Sequence, residues 1–136
     1  MNLRLAGVLA AAFFASPSWA AEAYIVVQRS VLAGLRHYDA GEVWLEMSAG
    51  DRLELVREPE NSYDSNAIRV EWRGRKLGYL PRRDNPAVAR QLDRGAALEA
   101  RVARLKENRN RSVRLEFEVV APLETRDQGL ETRAGP

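Results

Sequence analysis

The chain contains no cysteine among its 136 residues. No disulfide can brace it, so its hydrophobic core must hold the fold unaided. A thiolate zinc site is excluded, and the single histidine, His37, rules out a histidine cluster. No Ser–His–Asp or Cys–His arrangement stands out, and no pair of catalytic carboxylates does. The phosphate-binding pattern G-x-x-x-x-G-K-S/T does not occur. These absences argue against an enzyme and imply no cofactor. Long apolar runs are also missing. The run at residues 5–15 is shorter than the roughly 20 residues a membrane-spanning helix needs. Net charge is small, at +2.

What is present begins with a leader. Arg4, the apolar run, and the small residues Ser18 and Ala20 form the three parts of a secretory signal. Residues 1–20 therefore read as a signal peptide cleaved after Ala20, with Ala23 closing a weaker second site. The mature protein is expected to be exported to a bacterial periplasm, with no integral membrane segment left after cleavage. The alternative is a buried N-terminal helix, which would leave the protein cytoplasmic.

Charge is unevenly spread along the mature chain. Residues 21–72 carry 5 basic and 10 acidic side chains, residues 73–114 carry 13 and 4, and the remainder 2 and 5. A basic block of this kind is the footprint of a phosphate-binding surface. It becomes a patch only if the fold gathers it on one face. A preference for arginine codons would give the same count.

Residues 23–34 are rich in β-branched side chains and read as a first strand. Val43, Trp44 and Met47 suit one side of a short helical turn. Leu53 and Leu55 alternate with Arg52 and Glu54, and Ile68, Val70 and Trp72 alternate with Arg69, Glu71 and Arg73. Gly74 punctuates a hairpin, and Pro81 stops the strand that follows. One helix is expected, capped by Asp84 or Asn85, with Pro86 in its first turn and Gly95 at its exit. Its apolar stripe is Val88, Ala89 and Leu92. Two long strands close the domain. The first shifts phase between Val102 and Ala103, which predicts a bulge. The second alternates strictly from Val113 to Ala121.

The expected fold is mainly β with one or two short helices, a small, mostly antiparallel β-barrel or curled sheet of about six strands. The expected core is Leu53, Leu55, Ile68, Val70, Trp72, Leu77, Val88, Leu92, Leu98, Val102, Val113, Leu115, Phe117 and Val119. Residues 123–136 are charged and aperiodic and read as a disordered tail.

One loop carries more than a turn requires. Residues 60–67, ENSYDSNA, have enough Asn, Ser and Asp to turn unaided. Tyr63 is surplus. Its surroundings, from Gly34-Leu35-Arg36 through Gly50-Asp51 and Arg57-Glu58-Pro59 to Asn61-x-Tyr63-Asp64-x-Asn66-Ala67-Ile68 and Leu77-Gly78-Tyr79-Leu80-Pro81, resemble a HIRAN domain over residues 23–122. The resemblance implies an OB-like barrel. In the family's well-understood members, which accompany chromatin-remodelling or repair helicases, the domain captures the 3′ end of single-stranded DNA. Carried over, Arg36 and Arg82 would contact phosphate and Tyr63 would stack a base. Asp64 would accept a hydrogen bond from the free 3′-hydroxyl, Asn61 would orient that end, and His37 and Tyr79 would line the pocket. The family often has Tyr in place of His37 and Pro in place of Ser62.

The residue types suit such a site, because single-strand binding wants aromatic faces and arginines on one surface. Plainer roles exist for each. Tyr63 could pack on its own loop, and Asp64 could bond the amide of Asn66. Arg36 could pair with Asp39 or Glu42, and Trp72 alternates as a core residue should. The function implied is a non-enzymatic nucleic-acid-binding module, with single-stranded DNA bearing a free 3′-OH as partner. The alternative is an exported interaction module that keeps the fold and binds a periplasmic protein or envelope ligand.

Overall fold

The computed structural model describes residues 23–34, 43–107 and 113–123. The signal peptide expected at residues 1–20 and all of the expected tail except Leu123 lie outside the described residues. Within them, the alternating segments form six strands: β1 (Tyr24–Val31), β2 (Arg52–Arg57), β3 (Ile68–Trp72), β4 (Arg75–Tyr79), β5 (Glu99–Glu107) and β6 (Val113–Pro122). A 3-10 turn spans Trp44–Glu46, and one helix, α1, spans Asn85–Asp93. All strand pairs are antiparallel, in the order β1-β6-β5-β2-β3-β4.

The ladder is open, with β1 and β4 at its edges. Just beyond β1, however, Ala33 and Tyr79 exchange both backbone hydrogen bonds, each 2.9 Å. This single bridge draws the two edges together and gives the sheet its barrel-like curl. Gly78 permits the approach, since a Cβ there would collide with the Ala33 carbonyl oxygen. Register slips assist the curl at Val26/Gln28, Val70/Glu71 and Val102/Arg104. The last is the bulge expected at Ala103. Between β3 and β4, Arg73 and Gly74 both have positive φ, 48° and 77°. That is the requirement of a two-residue type I′ hairpin.

One cluster forms the core, with Leu53, Ile68, Val70, Leu77, Val88, Phe117 and Val119 fully buried. Burying each such side chain contributes about 1.5–3 kcal/mol, which must serve a chain without disulfides. Trp72 is buried, as its alternation requires, and the Arg73 guanidinium lies 4.3 Å from its ring centroid. Leu55, Leu92 and Leu98 pack on the margin of the cluster. Val113, expected in the core, is only half-buried, because it faces Glu107 at the far end of the β5–β6 pair. The core also takes Leu32, Val43, Met47, Leu80 and Ala100, which the alternation did not mark.

Helix α1 carries Pro86 in its first turn, and Gly95 follows with φ 85°. Neither expected cap works through its side chain. Asp84 occupies the cap position, but its carboxylate accepts from Ser30 Oγ at 3.0 Å. Asn85 is buried and turns its amide toward the β2–β3 loop.

Candidate functional site

The β2–β3 loop ties itself together through short polar side chains. Asn61 Oδ1 accepts from the backbone N–H of Tyr63 at 2.9 Å and of Asp64 at 3.3 Å. Asp64 Oδ1 accepts from the N–H of Asn66 at 2.9 Å, closing an Asx turn. The Asp64 carbonyl takes the N–H of Ala67 at 3.0 Å. With these groups satisfied inside the loop, Tyr63 points away and is 85% exposed. It does not pack on its own loop.

Two long-range contacts fasten the loop to the sheet and helix. Asp64 Oδ2 accepts from Asn85 Nδ2 at 2.7 Å. Glu58 Oε1 accepts both from Asn61 Nδ2 at 3.1 Å and from the Tyr79 hydroxyl at 2.9 Å. Arg69 Nη1 donates to the other Glu58 oxygen at 2.7 Å, and Lys76 Nζ donates to the Tyr79 hydroxyl oxygen at 2.7 Å. At the base of the loop, Arg57 donates from Nη1 to the Ala67 carbonyl at 3.1 Å and from Nε and Nη2 to the two carboxylate oxygens of Asp93 of α1.

Between the loop, the end of β4 and the turn after it lies a groove of about 480 Å³. Asn61, Tyr63, Asp64, Tyr79 and Arg82 all line it, with Ala33, Leu80 and Pro81 among the apolar contributors. The structure thus brings five of the seven candidate residues to one place. Arg36 and His37 lie outside the described residues. The residues that sequence reasoning missed are Glu58 and Asn85. Each acts through a partner 21 positions away, a separation that no local pattern reports.

The electrostatics follow from these bonds. Burial pushes the Asp64 carboxyl up. The hydrogen bonds from Asn85 and the Asn66 amide, with the charges of Arg82 and Arg57, outweigh it and hold the group below its ordinary value. Glu58 behaves alike: burial raises it, and the bonds from Asn61, Tyr79 and Arg69 win. Burial pushes the Tyr79 hydroxyl up, and its bond to Glu58 adds to that against the opposing Lys76. Tyr79 therefore stays a neutral donor. Arg82 Nε sits 3.8 Å from Asp64 Oδ2 with its side chain 70% exposed.

Chemically, the groove offers an exposed ring face, an ionised carboxylate and an exposed guanidinium. A carboxylate has about four acceptor positions, and two on Asp64 are taken, so it can still receive a hydroxyl proton. Among the described residues no group of three or more His, Cys, Asp or Glu could hold a metal ion.

A curled antiparallel sheet with one helix and a groove at its rim defines a small barrel-like β-domain. The HIRAN domain family model matches residues 25–124, and the chain belongs to that family. It is 28% identical to a Lactobacillus plantarum protein of known crystal structure, with a TM-score of 0.61 over 72% of this chain and 97% of that one. It is 25% identical to the crystallised HIRAN domain of human HLTF, with a TM-score of 0.56 over 71% of this chain and 77% of that one. A "Fanconi-associated nuclease 1 homolog" from Oryza sativa subsp. japonica is 36% identical over 73 residues, 51% of this chain. Those residues are only 7% of the rice protein's length.

Proposed function

We propose that this HIRAN domain is a nucleic-acid-binding module that takes the 3′ end of single-stranded DNA in the groove beside Tyr63. Tyr63 stacks on a base, Arg82 leaves Asp64 to meet a phosphate, and Asp64 accepts a hydrogen bond from the terminal 3′-hydroxyl. Asn61 and Tyr79 shape the groove around that end. The domain binds and does no chemistry of its own. The observation that carries the reading is the exposure of Tyr63, a large aromatic ring left in solvent next to a carboxylate and an arginine. Stacking of this kind contributes about 1–3 kcal/mol per base, and each arginine–phosphate contact adds a salt-dependent share.

The test is a titration of the domain with a labelled single strand ending in 3′-OH and with a blunt duplex, at two salt concentrations. The single strand should bind more tightly, and salt should weaken it. Equal, weak binding of both would sink the proposal.

Export is part of the proposal. The leader pattern at residues 1–20 supports it, and fractionation of cells carrying the full chain tests it, with N-terminal mass analysis. A periplasmic product beginning at Ala21 is expected. An uncleaved product in the cytoplasm would refute export and leave the groove's role unaffected.

A further inference from the structure

A second groove borders the turn that carries Arg82, at Arg83 and Asp84. It has a volume of about 350 Å³ and is lined by Arg29, Arg83, Arg114, Ser30, Asp84 and Glu116, among others. The two grooves share a wall. Arg82 lines the first and its neighbour Arg83 the second. The wall is held firmly against β1: Gln28 Nε2 donates to the Asp84 carbonyl at 2.9 Å and Ser30 Oγ to the Asp84 carboxylate at 3.0 Å. The Asp84 N–H also donates to the Pro81 carbonyl at 2.9 Å, which closes the turn.

The second groove mixes both charge signs, and their depth decides what it presents. Arg29 is 77% exposed over Glu118 at 18%, Arg83 76% over Asp84 at 25%, and Arg114 54% over Glu116 at 35%. In each pair the carboxylate lies inboard and the guanidinium outboard. The solvent-facing layer is therefore basic. Ion pairs of this exposure are worth little, so an arginine can leave its carboxylate for a phosphate at small cost. The bidentate guanidinium geometry suits phosphate oxygens.

We infer that the second groove is a backbone track. It takes the phosphates of nucleotides lying 5′ to the end held beside Tyr63, through Arg83, Arg29 and Arg114. The strand passes over the turn at Arg82 and Arg83 from one groove to the other. Its described lining offers no exposed ring on which a base could stack. This inference rests on the single-strand reading of the first groove.

The experiment compares 3′-OH single strands of roughly 4 and roughly 16 nucleotides, the two ends of the range such folds occupy, across a salt series. Wild type is set against the double variant Arg29→Gln/Arg114→Gln. Arg52→Gln, which removes an exposed arginine that lines neither groove, is the control. Wild type should bind the longer strand more tightly and with the steeper salt slope. The double variant should reduce that slope by about 1–2, since each lost phosphate contact accounts for roughly 0.7. Binding of the short strand should be unchanged. Equal slopes for both lengths, or a double variant matching Arg52→Gln on the longer strand, would overturn the track while leaving the first groove's role standing. Failure of wild type to bind either strand would overturn both.

Discussion

Asn85 reaches across 21 residues to donate its amide to Asp64 Oδ2 at 2.7 Å, and it does so while 1% exposed. The first residue of α1 thereby fixes the carboxylate on which the proposed end recognition depends. This part-buried hydrogen bond to a charged group, a kind worth more than a neutral one, couples helix and loop.

Asn85→Ala should therefore destabilise the domain by about 1–3 kcal/mol, the cost of leaving a buried partner unsatisfied. Asn85→Asp should do worse at neutral pH, because it sets one carboxylate against another. Chemical denaturation of the two variants beside wild type measures both effects. An Asn85→Ala variant as stable as wild type would show that the bond is idle.

Tyr63→Ala should separate binding from stability. The ring is in solvent, so truncation should change unfolding free energy by less than about 0.5 kcal/mol. Binding of a 3′-OH single strand should weaken by about 1–3 kcal/mol. Paired melting and titration curves check the split. Loss of stability with binding intact would assign the ring a packing role instead.

The acid limb of stability should come from Asp64 and Glu58. Their folded values lie below the ordinary 3.8 and 4.5. The unfolded chain thus binds more protons in the window between folded and unfolded values. Their contribution is present above the unfolded values and is lost as pH falls through the folded ones. The melting temperature should hold steady from about pH 6 into the neutral range and fall below about pH 4. Glu58→Gln keeps one acceptor and loses the titration, so its acid limb should be shallower. Tyr79 adds a limb of opposite sense. Its raised value makes its contribution fade only as pH climbs above 10.0.

Gly78→Ala should be costly out of proportion to one methyl group. The added Cβ meets the backbone oxygen of Ala33, which cannot move without breaking the bridge to Tyr79. A loss of about 1–3 kcal/mol or more is expected from forced overpacking. Tyr79 lines the groove, so strand binding should weaken in the same variant. Denaturation and titration of one preparation read both.

Much of the fold was legible because it is written in period two. Strict alternation in β6 and the slip in β5 located both strands and the bulge at Ala103. The hairpin at Arg73-Gly74 followed from a glycine where positive φ is needed. Leu32, Val43, Met47 and Leu80 escaped because they lie in connections, where burial is set by what packs over them rather than by any repeat. Leu32, for instance, is held by its N–H donating to the Leu115 carbonyl at 2.9 Å. The site shows the same division. Tyr63 stood out by type, as an aromatic that the turn did not need. In the sequence Glu58 stands out only within the Arg57-Glu58-Pro59 segment, with no role of its own, and Asn85 only as a cap. Their roles depend on Tyr79 and Asp64 arriving beside them, which only tertiary structure arranges.

The central claim is that Asp64 accepts a terminal 3′-hydroxyl. The most direct measurement is the ratio of affinities for one single strand ending in 3′-OH and the same strand ending in 3′-phosphate, in wild type and in Asp64→Asn. Wild type should prefer the hydroxyl end, because the carboxylate accepts a hydrogen bond from it and repels a phosphate. Asp64→Asn retains an acceptor oxygen for the Asn66 amide and loses the charge, so the preference should narrow. An identical ratio in both proteins, or no preference in wild type, would contradict the account.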